Sequence, residues 1–490
     1  MAKDSITLTK TPVEPHQLEE QKSIKIGEVD GAILGRGELE VVELRERVPL
    51  LRKLKAAEAW LDKKFGIETT GADRIPEDQR RPPSILNMIF LWFSMQVTPG
   101  LITLGLLGPL FGLSVNESII VSIFGTVIGS VIPAFTATLG APTGLRQIAV
   151  SRFAFGIWGS KFCGLLNILI NMGFATIDCI IAGQLISAVS GGKVTVVAGI
   201  IILSVGSWII SLFGFRITIF GQSAKYFSPT PGLSHSSGDA KTGAALNYFA
   251  LVFTDISKWL VFCLTGIGLV LPTVFVLVLG NFYGGTILTD QALSAIYDDG
   301  GIGALNLATM SPSGWGKFVC VMYALSFLAG VTVIYYSSSL SIQQWGKHFM
   351  AVPRFVWNTL LAAISLALAW GGREHLTSVI VDFLSLLGYW TVCFGTILAF
   401  ENFWFRPRNG GYDLEGWQDQ DRMPLGIAGC VSLALGIGVS FLGMDQTWYV
   451  GPAAKAVGPD GGDLGNYITL IAVCLAYPPL RHYEIKFTGR

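Results

Sequence analysis

Beyond residue 84, the chain is dominated by long stretches without an ionised side chain. Residues 85–116, 118–145, 259–289 and 318–346 contain no Asp, Glu, Lys or Arg. About 20 predominantly apolar residues in a helix cross a hydrocarbon core of about 30 Å. A helix on the surface of a soluble protein shows a polar face at every turn, and these stretches do not. The pattern predicts crossings at 86–112, 116–140, 162–190, 194–214, 259–282, 317–341, 355–371, 377–400, 424–443 and 464–480. The expected class is all-α, a polytopic membrane helical bundle. One region breaks the pattern: residues 222–242 contain Pro229, Pro231 and several serines and cannot span, and residues 244–253 are apolar but too short.

Charge sharpens the division into parts. Residues 1–84 hold 15 Lys/Arg and 16 Asp/Glu, which leaves 37 charges for the remaining 406 residues. A net charge of zero and a mean hydropathy of +0.54 therefore describe a charged tail joined to a charge-poor body. The expected organisation is a cytoplasmic tail at 1–84, a transporter domain at 85–482 and a short cytoplasmic tail at 483–490. Residues 1–50 mix charge with Gly and Pro and read as mostly disordered, with no apolar signal segment in residues 1–10. Residues 51–65 carry Leu51, Leu54, Ala57 and Leu61 at helical spacing, flanked by lysines. That helix could lie on an anionic membrane surface or in solvent. With the tail placed inside, the inner loops and the C-terminus hold eleven Lys/Arg, against Lys193, Lys317, Arg373 and Lys455 outside. Cytoplasmic loops collect Lys and Arg, so both termini are expected to be cytoplasmic.

Polar residues inside the apolar stretches carry the candidate chemistry. The first crossing contains Ser94, Gln96, Thr98, Pro99, Gly100 and Thr103. Proline removes a backbone donor and clashes with the preceding turn, so Pro99-Gly100 predicts either a broken helix whose freed backbone meets a ligand or an ordinary kink. Asp178 lies in the third crossing, with Asn171 about two turns before it. A carboxylate near mid-membrane costs about 2.5–3.5 kcal/mol on insertion scales. Such a group binds a cation, takes up a proton, accepts from a ligand N–H, or is bonded to a neighbouring helix. Thr332, Tyr335, Tyr336, the serines at 337–339, Ser341 and Gln343 form a further polar cluster. Gly125 and Gly129 form a small-xxx-small pair suited to close helix packing. Trp404, Trp448 and Tyr477 read as anchors at the membrane interface.

Other classes find no support in the sequence. The seven cysteines sit singly in apolar stretches and read as small buried hydrophobes, with neither a disulfide framework nor a metal site. The sequence holds no phosphate-binding glycine loop, nucleophile elbow or HExxH pattern. No enzyme, cofactor, metal or nucleic-acid partner is expected. The expected partners are a small polar solute, a proton or monovalent cation, and the lipid bilayer.

Several segments together are highly specific. They are Trp92-Phe93-Ser94 running on to Gly105-Leu106-Leu107-Gly108-Pro109, Gly140-Ala141-Pro142-Thr143-Gly144-Leu145-Arg146-Gln147, and Phe383-Leu384-Ser385-Leu386-Leu387-Gly388-Tyr389-Trp390. Gly443-Met444-Asp445-Gln446-Thr447-Trp448-Tyr449-Val450-Gly451-Pro452 and Tyr477-Pro478-Pro479-Leu480-Arg481 complete the set. Through them the chain resembles the nucleobase–cation symporters, in their fungal purine–cytosine permease branch. The resemblance covers residues 57–490. It implies twelve helices, ten of them in two inverted five-helix repeats, with the first and sixth broken around the substrate. It also implies proton- or cation-coupled import of cytosine or purines at the plasma membrane. Carried over by position, Ser94 and Gln96 fall in the first-helix site. Phe174 and Asp178 take the places of a site aromatic and a site asparagine on the third helix. The implied coupling residue is Asp178. The chain departs from the family by being incomplete at helices five and six. It also has Gly330, Val331 and Ile334 where the family pattern carries asparagines. An inactive or receptor-like paralogue is the alternative that these departures raise.

Overall fold

The computed structural model describes residues 44–65, 92–93, 96–212, 258–446, 448–457 and 461–490, with isolated positions before residue 92. Twelve longer helices carry the described chain. They are α1 (Pro49–Phe65), α2 (Pro99–Leu110), α3 (Val115–Ala137), α4 (Arg152–Val189), α5 (Val196–Leu212), α6 (Lys258–Thr289), α7 (Gln291–Thr309), α8 (Ser313–Gln343), α9 (Arg354–Gly372), α10 (Leu376–Phe400), α11 (Ile427–Gly443) and α12 (Gly465–Thr488). Among the described residues, α3, α4, α6, α8, α9 and α10 are long and apolar enough to cross a membrane, and α2, α5 and α11 are shorter apolar helices. Nine of the ten predicted crossings meet one of these apolar helices, the first of them over Pro99–Leu110; the tenth, at 464–480, lies in α12, which is helical but not among the apolar spans. The expected disorder of residues 1–50 and the expected gap at helices five and six fall almost wholly outside the described residues.

The first crossing is broken where proline predicted it. Thr98 is extended (φ −127°, ψ 145°), and α2 begins at Pro99 in the first helical position. That position suits proline, whose missing N–H has no intrahelical acceptor to lose. On the other side, the Thr98 N–H turns back to Gln96 O at 2.9 Å.

Two apolar cores hold the bundle. One joins α2, α4, α5, α6, α8 and α9 and includes Leu106, Ile180, Leu185, Phe327 and Val331. The other joins the ends of α3 and α4 to α10, α11 and α12 and includes Phe155, Phe394, Ile397 and Tyr477. Glycine permits the closest approach in the first core. A Cβ on Gly105 would stand 2.2 Å from Leu277 O, and one on Gly280 2.2 Å from Ile102 O. The backbones of α2 and α6 therefore touch with no side chain between them.

Four sequence expectations need correcting. Tyr477 is fully buried, not an interface anchor. It donates to Glu401 Oε2 at 2.7 Å, because Glu401 and Arg481 form a buried ion pair beside it. Trp404 and Trp448 are exposed, as anchors should be. Gly125 and Gly129 have no described atom within 4 Å of a built Cβ, so among the described residues that pair packs on nothing. Cys163, Cys179, Cys320 and Cys393 are buried, but Cys263 and Cys430 are exposed. Both lie on apolar helices, and in lipid an apolar side chain gains nothing from burial that it lacks outside. Finally, the loop expected between the fifth and sixth crossings contains a helix, α7. Asp290 caps its N-terminus, accepting from Ala292 N at 2.8 Å, and Gly301 (φ 62°) kinks it.

Candidate functional site

The site is built where α4 and α8 pass the break before α2. Asp178 lies well inside α4, whose regular course runs on from the non-helical Gly156. A Cβ built on Gly100 would stand 3.8 Å from Asp178 Oδ1 and 3.7 Å from Thr98 Oγ1. A Cβ built on Gly330 of α8 would stand 3.8 Å from Asp178 Oδ2, with no other described atom within 4 Å. The carboxylate therefore lies between the N-terminus of one helix and a bare stretch of another. The first N–H groups of a helix lack intrahelical acceptors and form its positive end, which favours an anion at this place. Asp178 forms none of the ion pairs found among the described residues.

Phe174 precedes Asp178 by four residues and so shares its face of α4. Its ring meets Phe383 of α10 edge to face, with centroids 5.2 Å apart and planes at 89°. Phe383 is seated against Gly173, where a Cβ would stand 2.1 Å from Phe383 Cε2. Gln96 sits half-buried in the last turn before the break, and Ser94 lies outside the described residues. The structure thus places Asp178 beside Thr98 and Gly100, with Phe174 one turn away on the same face of α4. Gln96 is two residues from Thr98 along the chain.

Sequence reasoning missed Phe383 and Gly173 as site neighbours, while Gly330 entered it as a place where the family pattern carries an asparagine. Only the quoted segment beginning at Phe383 gave a hint. A glycine that admits a ring from another helix leaves no local periodic signal. Three members of the polar cluster on α8, by contrast, are self-contained, whereas the buried Tyr335 and Ser338 hydroxyls find no hydrogen-bond partner among the described residues. Thr332 donates to Leu328 O at 2.7 Å, Ser339 to Tyr336 O at 2.7 Å and Ser341 to Ser337 O at 3.1 Å. Hydroxyls that bond back one turn satisfy themselves within the helix, so these three serve the helix and leave no donor for a ligand. Behind Asp178, Cys179 Sγ and Ser204 Oγ of α5 lie 3.3 Å apart.

A bundle of apolar helices with a broken first crossing and a carboxylate at the break defines a membrane transporter. The comparisons make the assignment narrower. The family described as "Permease for cytosine/purines, uracil, thiamine, allantoin" matches residues 74–226. The vitamin B6 transporter of Saccharomyces cerevisiae is 28% identical over 534 residues, covering 90% of this chain and 92% of its own. A purine–cytosine permease of the same yeast is 28% identical over 525 residues, covering 98% and 97%. The solved structure of Mhp1, a nucleobase-cation-symport-1 family transporter with bromovinylhydantoin bound, is 14% identical. It aligns with a TM-score of 0.58 over 86% of this chain and 96% of its own, and shares the fold. The chain is thus similar, along nearly its whole length, to the fungal purine–cytosine permeases, and the permease-family model matches residues 74–226. It is a multi-pass membrane protein, a transporter by its relatives and not an enzyme.

Proposed function

We propose that this chain is a secondary active transporter that imports nucleobases, cytosine or purines, together with a proton or another monovalent cation. The observation that carries the reading is the position of Asp178, whose two carboxylate oxygens lie against Gly100 at the helix break and against Gly330. Ser94, Gln96, Phe174 and Asp178 form the substrate site. Phe174 stacks on the planar ring, and the amide and carboxylate meet its donor and acceptor edge. Asp178 also serves the coupling ion. The whole-length similarity to a vitamin B6 transporter and to a purine–cytosine permease supports a planar nitrogen heterocycle as the cargo.

The charged tail at 1–84 and the residues after 482 are cytoplasmic, and the transporter acts at the plasma membrane. The excess of Lys and Arg in alternate loops supports this orientation. An inactive or receptor-like role is not favoured, because the relatives that match across nearly the whole chain are transporters.

The test is uptake of labelled cytosine and adenine by a permease-deficient host expressing the full chain. Uptake is expected from the wild type and is expected to be lost in Asp178→Ala. Undiminished uptake by Asp178→Ala would remove Asp178 from the mechanism. A correctly inserted wild type that carries neither solute would sink the nucleobase reading.

A further inference from the structure

We infer that this site takes its ligand as a cation. The ligand is a planar nitrogen heterocycle bearing a protonated ring nitrogen or amine, and for a nucleobase the coupling proton then rides on the ring itself. The inference rests on the transport reading above and deepens it.

The argument begins with what surrounds the carboxylate. In transporters with broken helices, the positive end of a half-helix is the usual seat for an anionic group of the substrate. Here the N-terminus of α2 already has an anion, supplied by the protein, since Asp178 Oδ1 lies 3.8 Å from the Cβ position of Gly100. An anionic ligand would meet a like charge at this point. A neutral ring would leave an ionised Oδ2 without a counter-charge, which is costly, or require the carboxyl to take up a proton first.

Gly330 supplies the second half. Beside Oδ2, the space over Gly330 holds no other described atom within 4 Å of a built Cβ. Among the described residues no donor bonds Asp178, and the space over Gly330 can take a ligand N–H. The cations of the described ion pairs, Lys55, Arg373, Arg406, Arg422 and Arg481, are all committed to other carboxylates. None of them serves Asp178, and a cationic ligand would supply the positive charge there. Phe174 adds a ring one turn away on the same face of α4, and aromatic faces attract cations.

The test uses two rings of the same shape: 4-aminopyridine, a cation at neutral pH, and 4-aminopyrimidine, which is neutral there. Their binding to the purified full chain in detergent is measured by calorimetry for the wild type, Asp178→Asn and Gly330→Asn. A melting curve for each variant checks that it is folded. The wild type is expected to bind the cation about tenfold or more tightly than its neutral isostere, the worth of one charge-assisted hydrogen bond. Asp178→Asn keeps the shape and removes the charge, so it is expected to lose the preference. Gly330→Asn places an amide donor beside Oδ2 and is expected to reduce it.

Equal binding of the two rings by the wild type would overturn the inference, as would binding of neither ring or a preference unchanged in Asp178→Asn. Calorimetry reads recognition without transport, so the two readings fail separately. A chain that binds the cation but carries no labelled solute keeps this inference and loses the transport reading. One that takes up cytosine but ignores 4-aminopyridine does the reverse.

Discussion

Arg481 and Glu401 face each other through two hydrogen bonds, Nε to Oε2 and NH2 to Oε1, each 3.1 Å long. Both side chains are almost wholly buried, at 2% and 1% exposure. Arg406 approaches the same Glu401 Oε1 at 2.6 Å, and Tyr477 donates to Oε2 at 2.7 Å. One turn along α12, Glu484 accepts from the first amides of α11, Gly426 N at 2.7 Å and Ala428 N at 3.2 Å. The network ties the ends of α10 and α12 to the start of α11.

Removing one partner of a buried ion pair leaves an uncompensated charge and costs about 3–5 kcal/mol. Glu401→Gln is therefore expected to lower the melting temperature of the detergent-solubilised protein sharply, as read by fluorescence-detected size exclusion after heating. Replacing Glu401 and Arg481 together with Gln and Met is expected to recover much of that loss. A double variant as unstable as the single one would show that Glu401 works through Arg406 and Tyr477 alone.

Gly105 and Gly280 make a separate prediction about packing. A methyl at either place would stand 2.2 Å from a carbonyl oxygen of the opposite helix, and neither backbone can move aside without parting α2 from α6. Overpacking a tight contact costs about 1–3 kcal/mol, occasionally more. Gly105→Ala is expected to reduce the folded yield, whereas Gly125→Ala, at a position with nothing described nearby, is expected to be silent. Equal yields for the two variants would mean that the α2–α6 contact yields more readily than its geometry implies.

How much of this was legible in the sequence depended on whether a signal was local. Pro99 announces the helix break because its missing donor acts on its own turn. Asp178 announces itself because its cost in lipid is paid wherever the helix lies. Tyr477 was misread for the opposite reason. An aromatic near the end of an apolar stretch looks like an anchor until Glu401, 76 positions earlier, is known to be its partner. The seat of Phe383 on Gly173 and the bare face of Gly330 beside Asp178 are likewise tertiary facts. Helix α7 was within reach, since Asp290 before Gln-Ala-Leu is an ordinary N-cap, but its mixed polarity gave no stripe to follow.

The orientation can be checked with single cysteines. Lys193 lies exposed in the turn between α4 and α5, and Asn409 lies exposed after the end of α10. With both termini inside, the first faces out and the second in. In a background without native cysteines, Lys193→Cys is expected to react with a membrane-impermeant maleimide on intact cells. Asn409→Cys is expected to react only after permeabilisation. The opposite pattern would invert the bundle.

The contact between Gly173 and Phe383 gives the sharpest prediction for the site. A methyl on Gly173 would overlap the Phe383 ring at 2.1 Å from Cε2, so the ring must leave its seat. Phe383 is also what holds Phe174 edge to face at 5.2 Å, and an aromatic pair of this geometry contributes about 0.5–1.5 kcal/mol beyond its area. Once Phe383 is displaced, Phe174 loses the contact that sets its plane. If Phe174 is the surface on which the substrate ring stacks, Gly173→Ala should raise KM for uptake by about tenfold while surface expression holds. Phe383→Leu should do the same by a different route, since it removes the edge contact without crowding Gly173. Combining the two should cost little more than either alone, because both act through the one ring. Losses that multiply in the double variant would show that Gly173 and Phe383 affect uptake through separate contacts, and Phe174 would no longer be needed to explain them.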